Sequence, residues 1–273
     1  MADAPVGEAV LGPGRGERWA LCGGALAALL LAVVPPLLVV ARRQAVWEAV
    51  QFCLFALLVP ALTVLGAPWS LRTARTARLD GDVVERVAFA RVRHRGQLRA
   101  FLFVLPFCLA VVVWRTPWAV NGVVRHPGLL ALEAATLVPA GALLWLELVS
   151  SPPLEPRSPR GRRIILAALA MWTVFVMAFL VGFSRSDWYR AFGHRPGHGI
   201  SLIADQQLMA GVLWLAGFVA FVPVEFANIV RWLRSGDDLD AELHVLLKGE
   251  PRGGGDAARD VPEDRAGDGE AGE

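Results

Sequence analysis

The chain has 273 residues, of which 55% are hydrophobic and only 19% are charged. Charged residues this sparse leave too little polar surface to solvate a water-soluble fold of that length. The formal net charge is +2 at pH 7, and the three cysteines lack C-x-x-C spacing. They are therefore read as small buried side chains rather than as a disulfide framework or a metal site. Composition excludes an ordinary soluble domain and indicates a protein in lipid.

Six long apolar runs cover most of the sequence. A helix needs about 20 mostly apolar residues to cross a bilayer, and five runs reach that length, whereas the third is shorter. The runs are 20–40, 46–69, 98–114, 128–149, 164–183 and 207–232. They predict an all-α integral membrane protein, a bundle of six transmembrane helices. Five of the runs contain a proline, so we expect several of the helices to be kinked.

Composition divides the chain into three parts. Residues 1–18 form a short N-terminal segment, and residues 19–234 form the transmembrane domain. From residue 235 to residue 273, Gly, Asp and Glu replace the apolar pattern. Low hydrophobicity combined with many charges predicts that this acidic, Gly-rich tail is disordered.

The distribution of basic residues predicts the orientation in the membrane. The N-terminus, the loops after the second and fourth helices and the C-terminal tail together carry 20 of the 27 Lys and Arg. By the positive-inside rule, both termini lie in the cytoplasm and the protein is a multi-pass protein of the plasma membrane. The loop 70–97 is rich in arginine, which suits anionic lipid headgroups. It carries no nucleic-acid-binding signature, so the bilayer rather than nucleic acid is the expected partner.

Polar residues occur at the starts of the second, fourth and sixth runs. Polar groups at membrane depth cost several kcal/mol unless they are paired or hydrated, so they are candidate functional residues. In the predicted orientation these three helices all begin on the outer side, which would gather the groups at one end of the bundle. The candidates are Glu48, Gln51, Glu133, Asp205, Gln206 and Gln207. They could line an outward-facing pocket, or they could cap helix ends, with Asp205 accepting hydrogen bonds from free amides.

Three blocks in these regions follow a recognisable order. The first, at 48–69, reads E-A-V-Q-F-C-L-F-A-L-L-V-P-A-L-T-V-L-G-A-P-W. The second is His126-Pro127 followed by Ala131-Leu132-Glu133, and the third, at 202–211, reads L-I-A-D-Q-Q-L-M-A-G. They resemble the H-M-x-Q-H…P…L-G-A-P, H-P-x-x-H-A-L-E-H and L-x-D-Q-Q-L-x-G patterns of the membrane-integral cytochrome c oxidase assembly factors of the CtaG type. The resemblance extends from about residue 18 to residue 234.

The resemblance implies a role in the respiratory chain. It implies a scaffold or chaperone in the maturation of a haem-copper terminal oxidase, with oxidase subunits as partners, rather than an enzyme. The residues agree, because no nucleophile and base pair, phosphate-binding loop or zinc-protease motif is present. The family usually has seven spans, whereas six are predicted here.

Copper is the cofactor that the resemblance brings into question. The family pattern has histidines where this chain has Glu48, Phe52, Leu130 and Ala134, so only His126 remains as a candidate metal ligand. Imidazole suits copper and iron, whereas one imidazole among carboxylates and amides makes a poor Cu(I) site. His194 and His198 of the last outer loop could supplement it. Copper is therefore an open but unfavoured cofactor, and no other is predicted.

Two alternatives to oxidase maturation stay open. The polar outer end and the proline-containing helices would also suit a small transporter or a solute-binding membrane protein, although no inverted repeat supports it. A chain that has lost the family histidines could also act as a metal-free structural partner in a membrane complex.

The predicted orientation can be tested with single cysteines at Arg78 and Arg195 in a background without native cysteines. We expect an impermeant thiol reagent to label Arg195→Cys but not Arg78→Cys on intact cells, because position 78 faces the cytoplasm. Labelling both variants after lysis controls for reactivity. Labelling at position 78 alone on intact cells would reverse the orientation.

Overall fold

The computed structural model describes residues 14–70, 97–151, 154, 158, 160–193 and 200–234. The helices are α1 Arg15–Val33, α2 Leu37–Ala41, α3 Ala45–Cys53, α4 Val59–Gly66, α5 Gln97–Trp114, α6 Pro117–Arg125, α7 Gly128–Leu148, α8 Arg160–Phe183 and α9 Leu202–Arg234. These described segments contain no strand, so the predicted all-α class is confirmed. The expected disordered tail, 235–273, lies outside the described residues, as does most of the arginine-rich loop.

The predicted transmembrane segments are present as long apolar helices. Five segments of the described chain are long and apolar enough to cross a membrane, and a bent helix pair makes a sixth. The five are Arg15–Val33, Ala45–Ser70, Gly128–Leu148, Gly161–Phe183 and Leu202–Leu233. The first predicted segment, 1–18, is partly helical, since α1 begins at Arg15.

The third span is broken. Phe101–Trp114 and Pro117–Arg125 meet at an angle of 70°, with Arg115 and Thr116 between them. Thr116 has an extended backbone, with φ −66° and ψ 148°. A residue before proline avoids the helical region because the proline ring crowds it, and this accounts for the break at Thr116. The corner carries Arg115 to a position between helices.

Prolines also interrupt the first two runs. The first run ends as an α-helix at Val33, and the chain resumes as α2 after Pro36. In the second run a π-helical turn, Leu54–Leu58, separates α3 from α4. Pro60 follows this turn and has no N–H to donate to the carbonyl of Ala56, so a regular α-helical bond cannot form there.

The segment from α3 to α4 lies at the centre of the bundle. In its most apolar 18-residue stretch 61% of the residues are buried, whereas the corresponding value for α1 is 17%. Helices α8 and α9 pair along their lengths and pack on the same core. Large apolar side chains such as Trp172, Phe179 and Phe183 remain exposed on the outside, as expected for a surface that faces lipid.

One close contact depends on a glycine. A Cβ added at Gly141 of α7 would lie 2.6 Å from Cγ of Pro60 and 2.7 Å from the carbonyl oxygen of Ala56. The absence of a side chain therefore lets α7 approach the backbone beside the π-helical turn. At Gly211 of α9, an added Cβ would meet no atom within 4 Å.

We expect Gly141→Ala to lower the free energy of unfolding by about 1–3 kcal/mol, because the extra methyl group overpacks this contact. Gly211→Ala is the matched control and should be neutral or stabilising by up to about 1 kcal/mol, because alanine favours a helix. Unfolding of both variants in the same detergent would measure the difference. Equal stability of the two variants would contradict the close contact.

Candidate functional site

The centre of the site is a buried ion pair. Arg115, in the break between α5 and α6, has a relative exposure of 0%. Its guanidinium donates two hydrogen bonds to Glu48 of α3, from Nη1 to Oε2 at 2.8 Å and from Nη2 to Oε1 at 2.5 Å. Two parallel bonds of this kind match the planar fork of arginine to a carboxylate. The pair joins α3 to the α5–α6 corner.

Aromatic side chains complete the surroundings of Arg115. The guanidinium carbon lies 3.9 Å from the centroid of the Phe52 ring, which places the cation over the negative face of the ring. The buried phenol of Tyr189 donates a hydrogen bond to the carbonyl oxygen of Arg115 at 3.0 Å. Burial raises the pKa of this phenol above its ordinary value, although the positive charge of Arg115 acts to lower it. The phenol therefore remains a hydrogen-bond donor.

Glu133 of α7 approaches the guanidinium of Arg115 but makes no hydrogen bond to it. Its Oε1 is 3.6 Å from Nη2 of Arg115 and accepts no hydrogen bond. The Nε of Arg115 also has no partner. Glu133 has a relative exposure of 2% and Glu48 one of 3%. The structure thus brings two of the predicted candidates, Glu48 and Glu133, to one guanidinium, and we call these three residues the Arg115 cluster.

Asp205 caps a helix other than its own. It lies in the first turn of α9, and its carboxylate accepts hydrogen bonds from the backbone N–H groups of Ala45 at 2.6 Å and Val46 at 3.1 Å. These are the first residues of α3, whose amides have no partner within that helix. The N-cap residue of α3, Gln44, supplies no side-chain bond. The capping geometry expected for Asp205 therefore occurs, but between two helices.

The three glutamines differ in their surroundings. Gln51 is buried and donates to the carbonyl of Ala32 in α1 at 2.5 Å. Gln206 is buried as well, accepting from the N–H of Trp188 at 3.0 Å and donating to the carbonyl of Val181 at 2.9 Å. Gln207 is exposed. Gln51 and Gln206 thus bind backbone groups of neighbouring elements, and Gln207 lies on the outside.

His126 lies apart from these buried polar groups. It is exposed, at the C-terminal end of α6, where its backbone N–H donates to the carbonyl of Gly122. Within the described residues, no three His, Cys, Asp or Glu side chains are grouped so that they could hold a metal ion. His194 and His198 fall outside the described residues.

Sequence reasoning missed three residues of this region. Arg115 is one of the seven basic residues outside the segments assigned to the cytoplasm, so the sequence alone places it in a loop, although it follows an apolar run and precedes Thr-Pro, which is a sign of a broken span. Tyr189 is the only tyrosine of the chain. Asn121 of α6 binds the loop before α9, donating to the carbonyl of Trp188 at 3.0 Å and accepting from the N–H of Ala191 at 2.8 Å. No periodicity in the sequence signals these long-range bonds.

The sequence model of one protein family, the cytochrome c oxidase caa3 assembly factors (Caa3_CtaG), matches residues 13–235. The match covers most of the chain and includes every described residue. The chain belongs to this family. The resemblance read from the three sequence blocks is thereby confirmed, and the protein is a cytochrome c oxidase assembly factor of the membrane. No curated protein and no solved structure matches the chain.

The third block gains a structural meaning in this assembly factor. Successive residues on a helix are turned by about 100° from each other, so three consecutive polar side chains point in different directions. In the D-Q-Q sequence, Asp205 binds the start of α3, and Gln206 binds the end of α8 and the following loop. Gln207 is then directed outward. The block fixes the start of α9 to two neighbours.

We expect Asp205→Ala to lower the free energy of unfolding of the assembly factor by about 1–3 kcal/mol, because it leaves the buried amide of Ala45 and the part-buried amide of Val46 without their acceptor. Gln207→Ala removes an exposed polar side chain from the same turn and should change stability by less than about 0.5 kcal/mol. Thermal unfolding in one detergent would compare the two variants. A Gln207 variant as unstable as the Asp205 variant would show that the turn, rather than the cap, is sensitive.

Proposed function

We propose that this assembly factor acts as a non-catalytic scaffold or chaperone that binds terminal oxidase subunits during maturation of a haem-copper oxidase. The observation that carries the proposal is the family match over residues 13–235. A scaffold role is also supported by the use of the buried polar groups. Glu48, Asp205 and Gln206 are each engaged in bonds between elements, which suits them to hold a fixed arrangement of helices rather than to make or break bonds in a substrate.

We further propose that the protein works in the plasma membrane with both termini in the cytoplasm. The support is the arginine distribution, with 20 of 27 Lys and Arg in the segments assigned to the inner side. In this orientation α3, α7 and α9 begin on the outer side, and the Arg115 cluster lies near that surface. The corner at Arg115 and the loop before α9 would then contact the oxidase subunits at the outer face.

We propose that the Arg115 cluster holds no copper. The resemblance would give histidines at positions 48, 52, 130 and 134. Here Glu48 is bound by a guanidinium, Phe52 lies under that guanidinium and Leu130 is buried. A covalently fixed cation therefore contacts positions 48 and 52, and Glu48 already neutralises it. The hard oxygen ligands that remain are unsuited to Cu(I).

Deletion of the gene, followed by complementation with a tagged copy, tests the proposal. We expect deletion to lower the amount of assembled terminal oxidase in membranes and the tagged copy to restore it. Mass spectrometry of the protein captured from native membranes should find oxidase subunits, and metal analysis of the same sample should find no stoichiometric copper. A tagged membrane protein of similar size, expressed at the same level, controls for unspecific capture.

Normal oxidase content in the deletion strain would reject the proposed function. Stoichiometric copper that survives His126→Ala but is lost in Glu48→Gln would reject the metal-free cluster while leaving the scaffold role intact. Solute flux through liposomes containing the purified protein, without captured oxidase subunits, would favour a transporter.

A further inference from the structure

The Arg115 cluster contains more carboxyl groups than cations. Two carboxyl groups, from Glu48 and Glu133, contact one guanidinium, and all three side chains are almost fully buried. With both carboxyl groups ionised, the cluster would carry one uncompensated negative charge at membrane depth. Such a charge costs several kcal/mol, so a buried carboxyl group without a counter-ion takes up a proton instead.

The distances distinguish the two carboxyl groups. Glu48 accepts both bonds from the guanidinium fork, whereas Oε1 of Glu133 is 3.6 Å from Nη2 and accepts no hydrogen bond. A carboxylate that neutralises a guanidinium normally accepts bonds of about 2.7–2.9 Å. Glu48 therefore has the geometry of the counter-ion, and Glu133 has that of a neutral neighbour.

We propose that Glu133 binds a proton, which makes the Arg115 cluster a one-proton site inside the bundle. The other titratable or charged groups that act on this cluster in the described residues are Cys53 of α3 and Tyr189 of the loop before α9. Tyr189 uses its O–H in the bond to the carbonyl of Arg115. Among the cluster and these two neighbours Arg115 is the only cation, so one cation faces two carboxyl groups and one proton balances the charge.

The site also makes the two carboxyl groups interdependent. When Glu48 loses its charge, Arg115 needs another counter-ion, and the carboxyl group of Glu133 already lies 3.6 Å from its Nη2. Glu133 then releases its proton to solvent and pairs with the guanidinium. The number of protons bound by the cluster therefore equals the number of its carboxyl groups minus the number of its cations.

Infrared spectroscopy of the purified full-length protein in liposomes measures this proton directly. We expect the wild-type protein to show the carbonyl band of a buried protonated carboxyl group, which shifts in D₂O, and Glu133→Gln to lose it. Glu48→Gln should lose the same band, although Glu133 is still present, whereas Arg115→Met should increase it. Glu147→Gln is the matched control, because Glu147 is a buried glutamate of the same helix that accepts a bond from Ser158 instead.

An unchanged carboxyl region in Glu133→Gln would overturn the proposal, and so would retention of the Glu133 band in Glu48→Gln. Glutamine has the shape and charge of a protonated glutamate, so Glu133→Gln should also keep the thermal stability of the wild-type protein. Unfolding of this variant would itself contradict a neutral Glu133. The test therefore remains decisive even if Arg115→Met does not fold.

Discussion

The bidentate ion pair between Arg115 and Glu48 is the constraint on which the end of the bundle around the Arg115 cluster depends. The guanidinium of Arg115 contacts Glu48 of α3 and, at 3.6 Å, Glu133 of α7, and it lies over the ring of Phe52. The backbone carbonyl of Arg115 accepts a hydrogen bond from Tyr189. A buried ion pair adds little net stability compared with apolar side chains of the same size, but removal of one partner costs about 3–5 kcal/mol. The pair therefore acts chiefly by specifying which groups meet at the α5–α6 corner.

Lipid makes the remaining polar contacts necessary. Helix ends inside or near a bilayer have no water to satisfy their free amides and carbonyls, so these groups must find partners within the protein. Asp205 supplies the acceptors for the start of α3, and Gln206 binds the carbonyl of Val181 near the end of α8. These two side chains thus join the start of α9 to the start of α3 and to the end of α8.

The sequence predicts the fold better than the site because the two depend on different information. The spans follow from the length of apolar runs, which is local, and the common position of Glu48 and Glu133 follows from two helices that begin on one side. The 70° break and the burial of Arg115 are not local in this sense. Arg115 and Glu48 are 67 positions apart, so their pairing leaves no periodic pattern in the sequence. An arginine between two apolar runs is usually a topological signal, so the sequence alone places Arg115 in a loop.

The nature of the cation limits what this assembly factor can exchange at the Arg115 cluster. A bound metal can leave its ligands, whereas the charge of Arg115 is part of the chain and is held by the fork of Glu48. With this cation fixed, the variable charge of the cluster resides in the second carboxyl group, Glu133, which makes only the longer contact. A change in its protonation would alter the competition between two carboxylates for one guanidinium. Since α3, α7 and the α5–α6 corner meet there, a change of one proton would alter the packing at the surface that we propose to contact oxidase subunits.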